Sequence, residues 1–173
     1  MKSTPSGKNI GVELSEIFEA DQAERTVGHK NIDFGKMREN DKPRLARARA
    51  IYEGVKEGAI DLNGEELWKL GMLFQHSSNA EDYLIAIEIG NRSAEAGCES
   101  GAWLSAAAED RYLLNTGGKQ KWGTQFNKEE GKEWEQMPMQ DDEESGITDE
   151  MRAEKNLPAR DQQMSVFLAR DDI

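Results

Sequence analysis

The chain has 173 residues, of which 36% are hydrophobic and 32% charged, and its formal net charge is −12 at pH 7. This length is enough for one domain with a substantial core. The acidic excess argues against general binding to nucleic acids or to anionic membranes, because both need surplus lysine and arginine.

The negative charge is concentrated near the C-terminus. Residues 129–173 hold 14 acidic and five basic residues, whereas residues 1–128 hold 20 and 17. The chain has a single cysteine, Cys98, so it has no internal disulfide. Its first residues lack an apolar signal region, and no run approaches the length of a membrane span. These features predict a cytoplasmic protein with an acidic C-terminal arm.

The N-terminal third of the sequence is predicted to contain a disordered start followed by two helices. Residues 1–11 contain Ser, Pro and Gly and are predicted to be disordered. A first helix is predicted over residues 15–27, with Ser15 as its N-cap. Within it, Asp21 and Arg25 have the spacing of a helix ion pair. The alternative is that this polar pair lines a site.

Residues 29–40 give no clear assignment, and the next helix is predicted over residues 42–57 with Asp41 as its N-cap. Arg44 and Arg47 lie on one face of that helix. Such a face either receives a carboxylate or phosphate, or pairs with acidic residues of the same chain.

Three further helices have clearer boundaries. Asn63 and Glu66 form a capping-box pattern, which opens a helix that His76 closes. A helix over residues 80–96 follows, and the fifth begins at residue 99 or 100 and stops at the Asn-Thr-Gly-Gly sequence of residues 115–118.

Asp110 lies on the apolar stripe of the fifth helix, together with Trp103, Ala107 and Leu114. A carboxylate at such a position is predicted to be partly buried and therefore paired, with an arginine as the expected partner. The glycine stop after this helix leads into residues 119–126, which are predicted to be extended. We predict that the fifth helix and residues 119–126 together form one wall of a pocket.

The predicted fold class is all-α or nearly so. It consists of a helical domain over residues 12–126, built of antiparallel hairpins, and an acidic arm over residues 127–173 with one or two short helices. The small residues between Ala86 and Leu104 resemble the helix–turn–helix units of Sel1-like and tetratricopeptide repeats. The resemblance covers about one and a half units and implies paired helices only.

A second resemblance covers roughly residues 15–160. The order of short motifs looks like that of a bacterial family, the DUF6624-like proteins, for which no activity is established. The motifs are DQAER (21–25), END-x2-R (39–44), FQHSSNAEDY (74–83), AWLSAAAEDRYLL (102–114) and KQKWGTQF (119–126). Many relatives have glycine after the QH pair, whereas this chain has Ser77.

The resemblance supplies candidate positions, and most of them lie beside apolar helix faces. We predict that they converge on a polar pocket, in which His76 is a general acid or base oriented by Asp110. The predicted substrate-binding residues are Arg25, Arg44, Gln75, Arg111, Gln120, Thr124 and Gln125. The competing interpretation is a buried polar network that holds the GTQ segment against the helices.

Two classes of function follow from these interpretations. The first is an enzyme or binder acting on a small anionic or peptide ligand. The second is a non-catalytic interaction module whose acidic arm contacts a basic protein partner. Whether the protein is an enzyme is left open by the sequence.

No metal or cofactor is predicted. The two histidines are far apart and no CxxC motif is present, which argues against zinc. A carboxylate-rich metal site with Glu109, Asp110 and one histidine is a minor alternative. Cys98 lacks an activating neighbour, and the glycines before Lys119 lack the spacing of a phosphate-binding loop.

Overall fold

A computed structural model describes residues 9–27, 31–129 and 131–170. Within these residues helices are the main secondary structure, and the only strands are two residues long, which confirms the predicted all-α or nearly all-α class. The elements are α1 (Ile10–Arg25), α2 (Phe34–Lys56), α3 (Gly64–Gln75), α4 (Ala80–Glu95), α5 (Glu99–Asn115), β1 (Phe126–Asn127), β2 (Glu135–Gln136), α6 (Asp142–Ser145), α7 (Asp149–Glu154), a 3-10 turn (Arg160–Gln162) and α8 (Gln163–Leu168). None of the helices in these ranges has the length and apolar composition needed to cross a membrane.

Helix α3 is the centre of the fold, and most of its residues are buried. It forms a hairpin with α4, which in turn packs along α5, and the connections are only residues 76–79 and 96–98. Such short connections make neighbouring helices antiparallel. Helices α1 and α2 pack on α3 from the other side. Leu70, Phe74 and Ile51 are fully buried where these helices meet.

Helices α4 and α5 approach each other at two glycines. A Cβ atom added to Gly101 would lie 2.6 Å from the Gly90 carbonyl oxygen, and one added to Gly90 would lie 2.8 Å from the Ser105 nitrogen. Gly90, one of the small residues of the repeat-like pattern between Ala86 and Leu104, therefore lies where the two helix backbones approach closely. The complementary role of Gly101 was not predicted.

The first helix begins earlier than predicted. Asn9, rather than Ser15, is the N-cap, and its side chain accepts a hydrogen bond from the Gly11 nitrogen at 3.0 Å. Ser15 lies inside the helix and donates its hydroxyl to the Gly11 carbonyl. Residues 10 and 11 of the segment predicted to be disordered are thus helical. Residues 1–8 lie outside the described residues.

The second helix also begins earlier, with Asp33 as its N-cap. It continues through Pro43, although proline has no N–H to donate within the helix. The predicted cap, Asp41, is instead a partner of two arginines, at 2.7 Å from Arg25 and 3.3 Å from Arg44. The pair with Arg25 holds the α2 turn before the proline against α1, whereas the pair with Arg44 lies within α2.

The C-terminal arm packs on the helices through its own small core. Trp122, Ala106, Ile147 and Leu157 form this second buried cluster, with Trp103 at its edge. Short backbone pairings join the arm to the GTQ segment: β1 is antiparallel to β2, and Gln120 forms a parallel bridge with Met139. The arm contains three short α-helices, one more than the upper end of the prediction.

Arg152 in α7 ties the arm to this segment, and its side chain is only 1% exposed. Its guanidinium donates to the Trp122 carbonyl at 2.7 Å, to the Pro158 carbonyl at 2.8 Å and to the Gln163 side-chain oxygen. A buried charge that binds neutral acceptors in this way fixes the geometry of all three segments.

The close approach of α4 and α5 gives a first prediction. Replacing Gly101 with alanine should destabilise the protein by about 1–3 kcal/mol, because the new methyl group meets backbone atoms that cannot move independently. The matched control is Gly35→Ala on the exposed face of α2, where the nearest atom is 3.4 Å away. The control should be neutral or stabilising by about 0.5 kcal/mol. Denaturant unfolding of both variants measures the difference, and equal stabilities would contradict the packing argument.

Candidate functional site

The structure contains a cavity of about 320 Å³ where the C-terminal ends of α1 and α3 meet α5 and the arm. Six of the nine residues predicted for the site line this cavity: Arg25, Gln75, His76, Arg111, Thr124 and Gln125. Residues that are far apart in the sequence are thus brought to one place. Asp110, Gln120 and Arg44 do not line it.

His76 is paired with Asp21 on α1. The imidazole Nδ1 lies 2.8 Å from Asp21 Oδ2, and Arg25 Nη1 lies 2.7 Å from Asp21 Oδ1. The Gln22 amide also donates to Asp21 Oδ2 at 2.9 Å. The Asp21 carboxylate is 1% exposed, whereas the His76 side chain keeps 13% of its surface exposed at the cavity. Asp21 therefore lies at ion-pair distance from one ring nitrogen, although the two groups are not aligned as a hydrogen bond, and part of the ring remains accessible.

The protonation state of this pair follows from its surroundings. Burial lowers the pKa of His76, and the contact with Asp21 opposes that shift without cancelling it. Burial raises the pKa of Asp21, but the contacts with His76, Arg25 and Gln22 together bring it below its usual range. At neutral pH we therefore expect an ionised Asp21 and a neutral His76. The neutral ring would carry its proton on Nδ1 and leave Nε2 as a proton acceptor.

Arg111 lines the cavity without a carboxylate partner among the described residues. Its Nε atom is buried and forms no hydrogen bond to them. Burial lowers the pKa of Arg111, and the Tyr83 side chain supports the charged form. Gln75, also on the cavity wall, is 2% exposed, and its Oε1 atom has no hydrogen-bond partner in the described part of the chain. Unpaired buried polar groups are costly unless a ligand or water satisfies them.

Asp110 was predicted to be partly buried and is fully buried, and both of its predicted contacts are wrong. Its Oδ1 atom accepts the backbone N–H groups of Lys121 and Trp122 at 2.7 and 2.8 Å. Its Oδ2 atom accepts the backbone N–H and hydroxyl of Thr124 at 2.9 and 2.8 Å. Among the described residues no arginine pairs with Asp110, and the carboxylate in contact with His76 is that of Asp21. The reason is local: Gly117, with φ of 85°, turns the chain so that the following backbone reaches Asp110.

Gln120 is likewise a structural residue. Its side-chain nitrogen donates to the carbonyls of Gln125 and Met137 at 3.0 and 2.8 Å, and its oxygen accepts from the Gln125 nitrogen at 2.9 Å. Asp110 and Gln120 thus belong to a buried polar network, as the second interpretation of the sequence predicted. Thr124 and Gln125 line the cavity, and the network holds them in position.

Arg44 lies outside the cavity. Its guanidinium binds Glu24 at 3.0 Å and Asp41 at 3.3 Å. Arg47 on the same helix binds Glu13 at 2.6 Å. The interpretation in which these arginines pair with acids of their own chain is therefore confirmed.

Sequence reasoning missed two parts of the site. Asp21 was paired only with Arg25, either as a helix ion pair or as a polar pair lining a site, and nothing in the sequence indicated that it would contact His76. The cavity also has aromatic residues, among them Phe126 and Phe167, and the arm provides Phe167 from α8. No helical periodicity in the arm indicated that this side chain would reach the site.

A metal site finds no support in the described ranges. No group of three or more potential ligands is placed to hold a metal ion there. Glu109 is used otherwise, since its carboxylate accepts the Trp122 indole N–H at 2.6 Å and lies 3.3 Å from Lys121 Nζ.

Comparison of the chain with protein-family models, with curated proteins and with solved structures finds no match.

The geometry around Asp110 gives a second prediction. Asp110→Asn should destabilise the protein by about 2–3 kcal/mol, because the amide nitrogen cannot accept a backbone N–H. The exposed Asp61 provides the control, and Asp61→Asn should change stability by less than about 0.5 kcal/mol. Denaturant unfolding near pH 7 gives both values. A neutral effect of Asp110→Asn would show that the four donors do not hold the loop.

The Asp21–His76 pair gives a third prediction, on pH dependence. The folded-state pKa of His76 lies below 6.5, its ordinary value. The folded protein therefore binds this proton less readily than the unfolded chain. Stability due to His76 is complete above about pH 6.5 and is lost as the pH falls through the folded-state value.

We expect the melting temperature to fall between about pH 7.5 and about pH 5.5, and to fall less in His76→Asn. Asparagine can keep the donor to Asp21 without titrating. His29→Asn, which changes the only other histidine, is the control and should retain the wild-type profile. Identical profiles for His76→Asn and wild type would contradict the assignment.

Proposed function

We propose that this protein is an acid–base enzyme acting on a small substrate that carries a negative charge. The observation that carries the proposal is that one cavity is lined both by His76, which Asp21 contacts from behind the cavity wall, and by Arg111, for which the described residues provide no carboxylate partner. In this proposal His76 transfers a proton, and Arg111 binds an anion.

His76 is the proposed proton-transfer group. Asp21 contacts Nδ1, so the proton-accepting atom is Nε2, and a neutral imidazole is the form that can accept a proton at neutral pH. Asp21 is a positioning residue that selects this tautomer and stabilises the imidazolium after transfer. Arg25 and Gln22 hold Asp21 in place.

Arg111 is the proposed anion-binding group. A guanidinium presents paired N–H donors that match an oxyanion, and a partly desolvated site strengthens the contact. Gln75 adds an unpaired acceptor oxygen for a donor group of the substrate. Ligand binding would thus satisfy groups that the described residues leave unsatisfied.

The hydroxyl groups on the cavity wall limit the kinds of reaction that we propose. Thr124 donates its hydroxyl to Asp110 at 2.8 Å, and Thr26 donates its hydroxyl to the Gln22 carbonyl at 3.0 Å. Both are side chains whose protons are already committed, and neither contacts His76. We therefore propose that His76 acts on the substrate itself or on a water molecule, without a covalent intermediate on a hydroxyl.

The interaction-module alternative rests on the acidity of the arm, and it stays a prediction. Some of its acids already pair within the chain, such as Asp142 with Arg160 at 2.5 Å and Glu144 with Lys119 at 3.3 Å. A cytoplasmic location and membership of the DUF6624-like family are part of our proposal, and the family brings no reaction with it.

The fourth prediction tests the proposed function through Arg111. In Arg111→Gln, the ligand-free protein should be no less stable than wild type, and about 1 kcal/mol more stable if the unpaired charge is costly. Thermal-shift measurements against a panel of small carboxylates and phosphates should give stabilising ligands for wild type and none for Arg111→Gln.

The matched control is Arg92→Gln, because Arg92 is on the surface of α4 beside Glu88 at 3.6 Å. This control should bind the panel as wild type does. Ligands found in this way are then incubated with wild type and His76→Asn, and the products are followed by mass spectrometry. Turnover by wild type and its loss in a folded, ligand-binding His76→Asn variant would support the proposal. The proposal would be overturned if ligands raised the melting temperature of Arg111→Gln as much as that of wild type, or if turnover in His76→Asn were unchanged.

A further inference from the structure

Four aromatic side chains line the same cavity as Arg111 and His76: Trp103, Phe126, Trp134 and Phe167. They come from α5, from β1, from the residue before β2 and from α8. Four separate segments of the chain therefore place rings at one site. We infer that the substrate of the proposed enzyme is an oxyanion attached to a planar aromatic ring. This inference rests on the proposed function and specifies its substrate class.

The arrangement of the rings supports this inference. Phe126 and Phe167 are stacked, with their centroids 3.8 Å apart and their planes at 9°. Trp134 meets Phe167 edge to face, at 5.1 Å and 77°. Rings in these arrangements hold one another in defined orientations. The cavity thus has a preformed aromatic wall, which suits a flat ligand.

The location of these rings at a cavity is the second point. Phe126, Trp134 and Phe167 are only partly buried, whereas the apolar core includes fully buried residues such as Phe74 and Leu70. Aromatic surface that stays in contact with water is unfavourable, and a ring-bearing ligand would cover it. A site for a small inorganic anion would not need such a wall.

The charge and size of the cavity complete the assignment. Three arginines among the described residues line the cavity. Arg25 shares its charge between Asp21 and Asp41, and the guanidinium carbon of Arg170 lies over the Phe167 ring, 5.8 Å from its centroid, so Arg111 is the proposed contact for the oxyanion. A volume of about 320 Å³ is near the lower end of the range of about 300–1,000 Å³ for small-molecule sites. This space fits a ligand of one or two rings better than a polymer.

The competing explanation is that the rings only attach α8 to the rest of the fold. In that case Phe167→Leu would lower stability and leave ligand selectivity unchanged. Selectivity for a ring, measured well below the melting temperature of each variant, therefore separates the two explanations.

The fifth prediction uses four probes with the full-length chain and isothermal titration calorimetry. Benzoate has a ring and a carboxylate, cyclohexanecarboxylate has the carboxylate without an aromatic ring, and benzamide has the ring without a charge. Phenyl phosphate replaces the carboxylate with a phosphate. We expect benzoate or phenyl phosphate to bind at least about tenfold more tightly than cyclohexanecarboxylate and benzamide, a difference of about 1.4 kcal/mol. The tighter of the two aromatic anions identifies the oxyanion.

Two variants locate the effect. Arg111→Gln should lose at least about tenfold in affinity for the aromatic anion. Phe167→Leu should bind benzoate and cyclohexanecarboxylate alike, whereas the control Phe34→Leu, at the start of α2 outside the cavity, should keep the preference for the ring.

The outcomes distinguish this inference from the function on which it rests. Equal binding of benzoate and cyclohexanecarboxylate by wild type would overturn the aromatic substrate class and leave the proposed anion site intact. An unchanged ring preference in Phe167→Leu would also overturn it. If none of the anions binds, or if Arg111→Gln binds them as wild type does, the proposed function itself fails.

Discussion

The C-terminal half of the structure depends on the hydrogen bonds that the buried carboxylate of Asp110 accepts. This carboxylate collects three backbone N–H groups and one hydroxyl from residues 121–124, immediately after the helix that carries it. Burial raises the pKa of Asp110, and these four donors oppose that rise. A loop that would otherwise have unsatisfied backbone donors is thereby fixed to α5. Trp122 on one side of this loop begins the second core, and Gln125 on the other enters the cavity.

The part of the cavity for which we propose proton transfer depends on a different set of charges. Arg25 lies between Asp21 and Asp41, and it thus joins α1 to α2 while holding the carboxylate that contacts His76. The imidazole is therefore positioned by residues of the first two helices, although it belongs to the third. Arg111 belongs to α5 and reaches the cavity from another direction. The groups proposed for proton transfer and for anion binding are supported by separate parts of the fold, so we expect a substitution in one to leave the other in place.

The sequence predicted the elements whose signals are local. The capping box at Asn63 and the glycine stop after Asn115 placed both boundaries correctly, and the helical stripe predicted the burial of Asp110. The starts of α1 and α2 were missed because several residues near each start can cap a helix, and tertiary contacts decide among them. The partner of His76 was missed for a related reason. Asp21 and Asp110 are both carboxylates on buried helix faces, and helical periodicity cannot tell which one faces a histidine on a third helix.

The contribution of α8 to the cavity has a consequence for how the site is assembled during synthesis. The five long helices leave the ribosome first, and they already contain His76, Asp21 and Arg111. Phe167 follows more than 50 residues after α5 has ended, and Arg152 must first bind the Trp122 carbonyl and Gln163 to anchor the segment before it. A nascent chain therefore contains Asp21, His76 and Arg111 well before Phe167 is added. During that interval the stacked pair of Phe126 and Phe167, which belongs to the surface proposed to select a ring, is still missing.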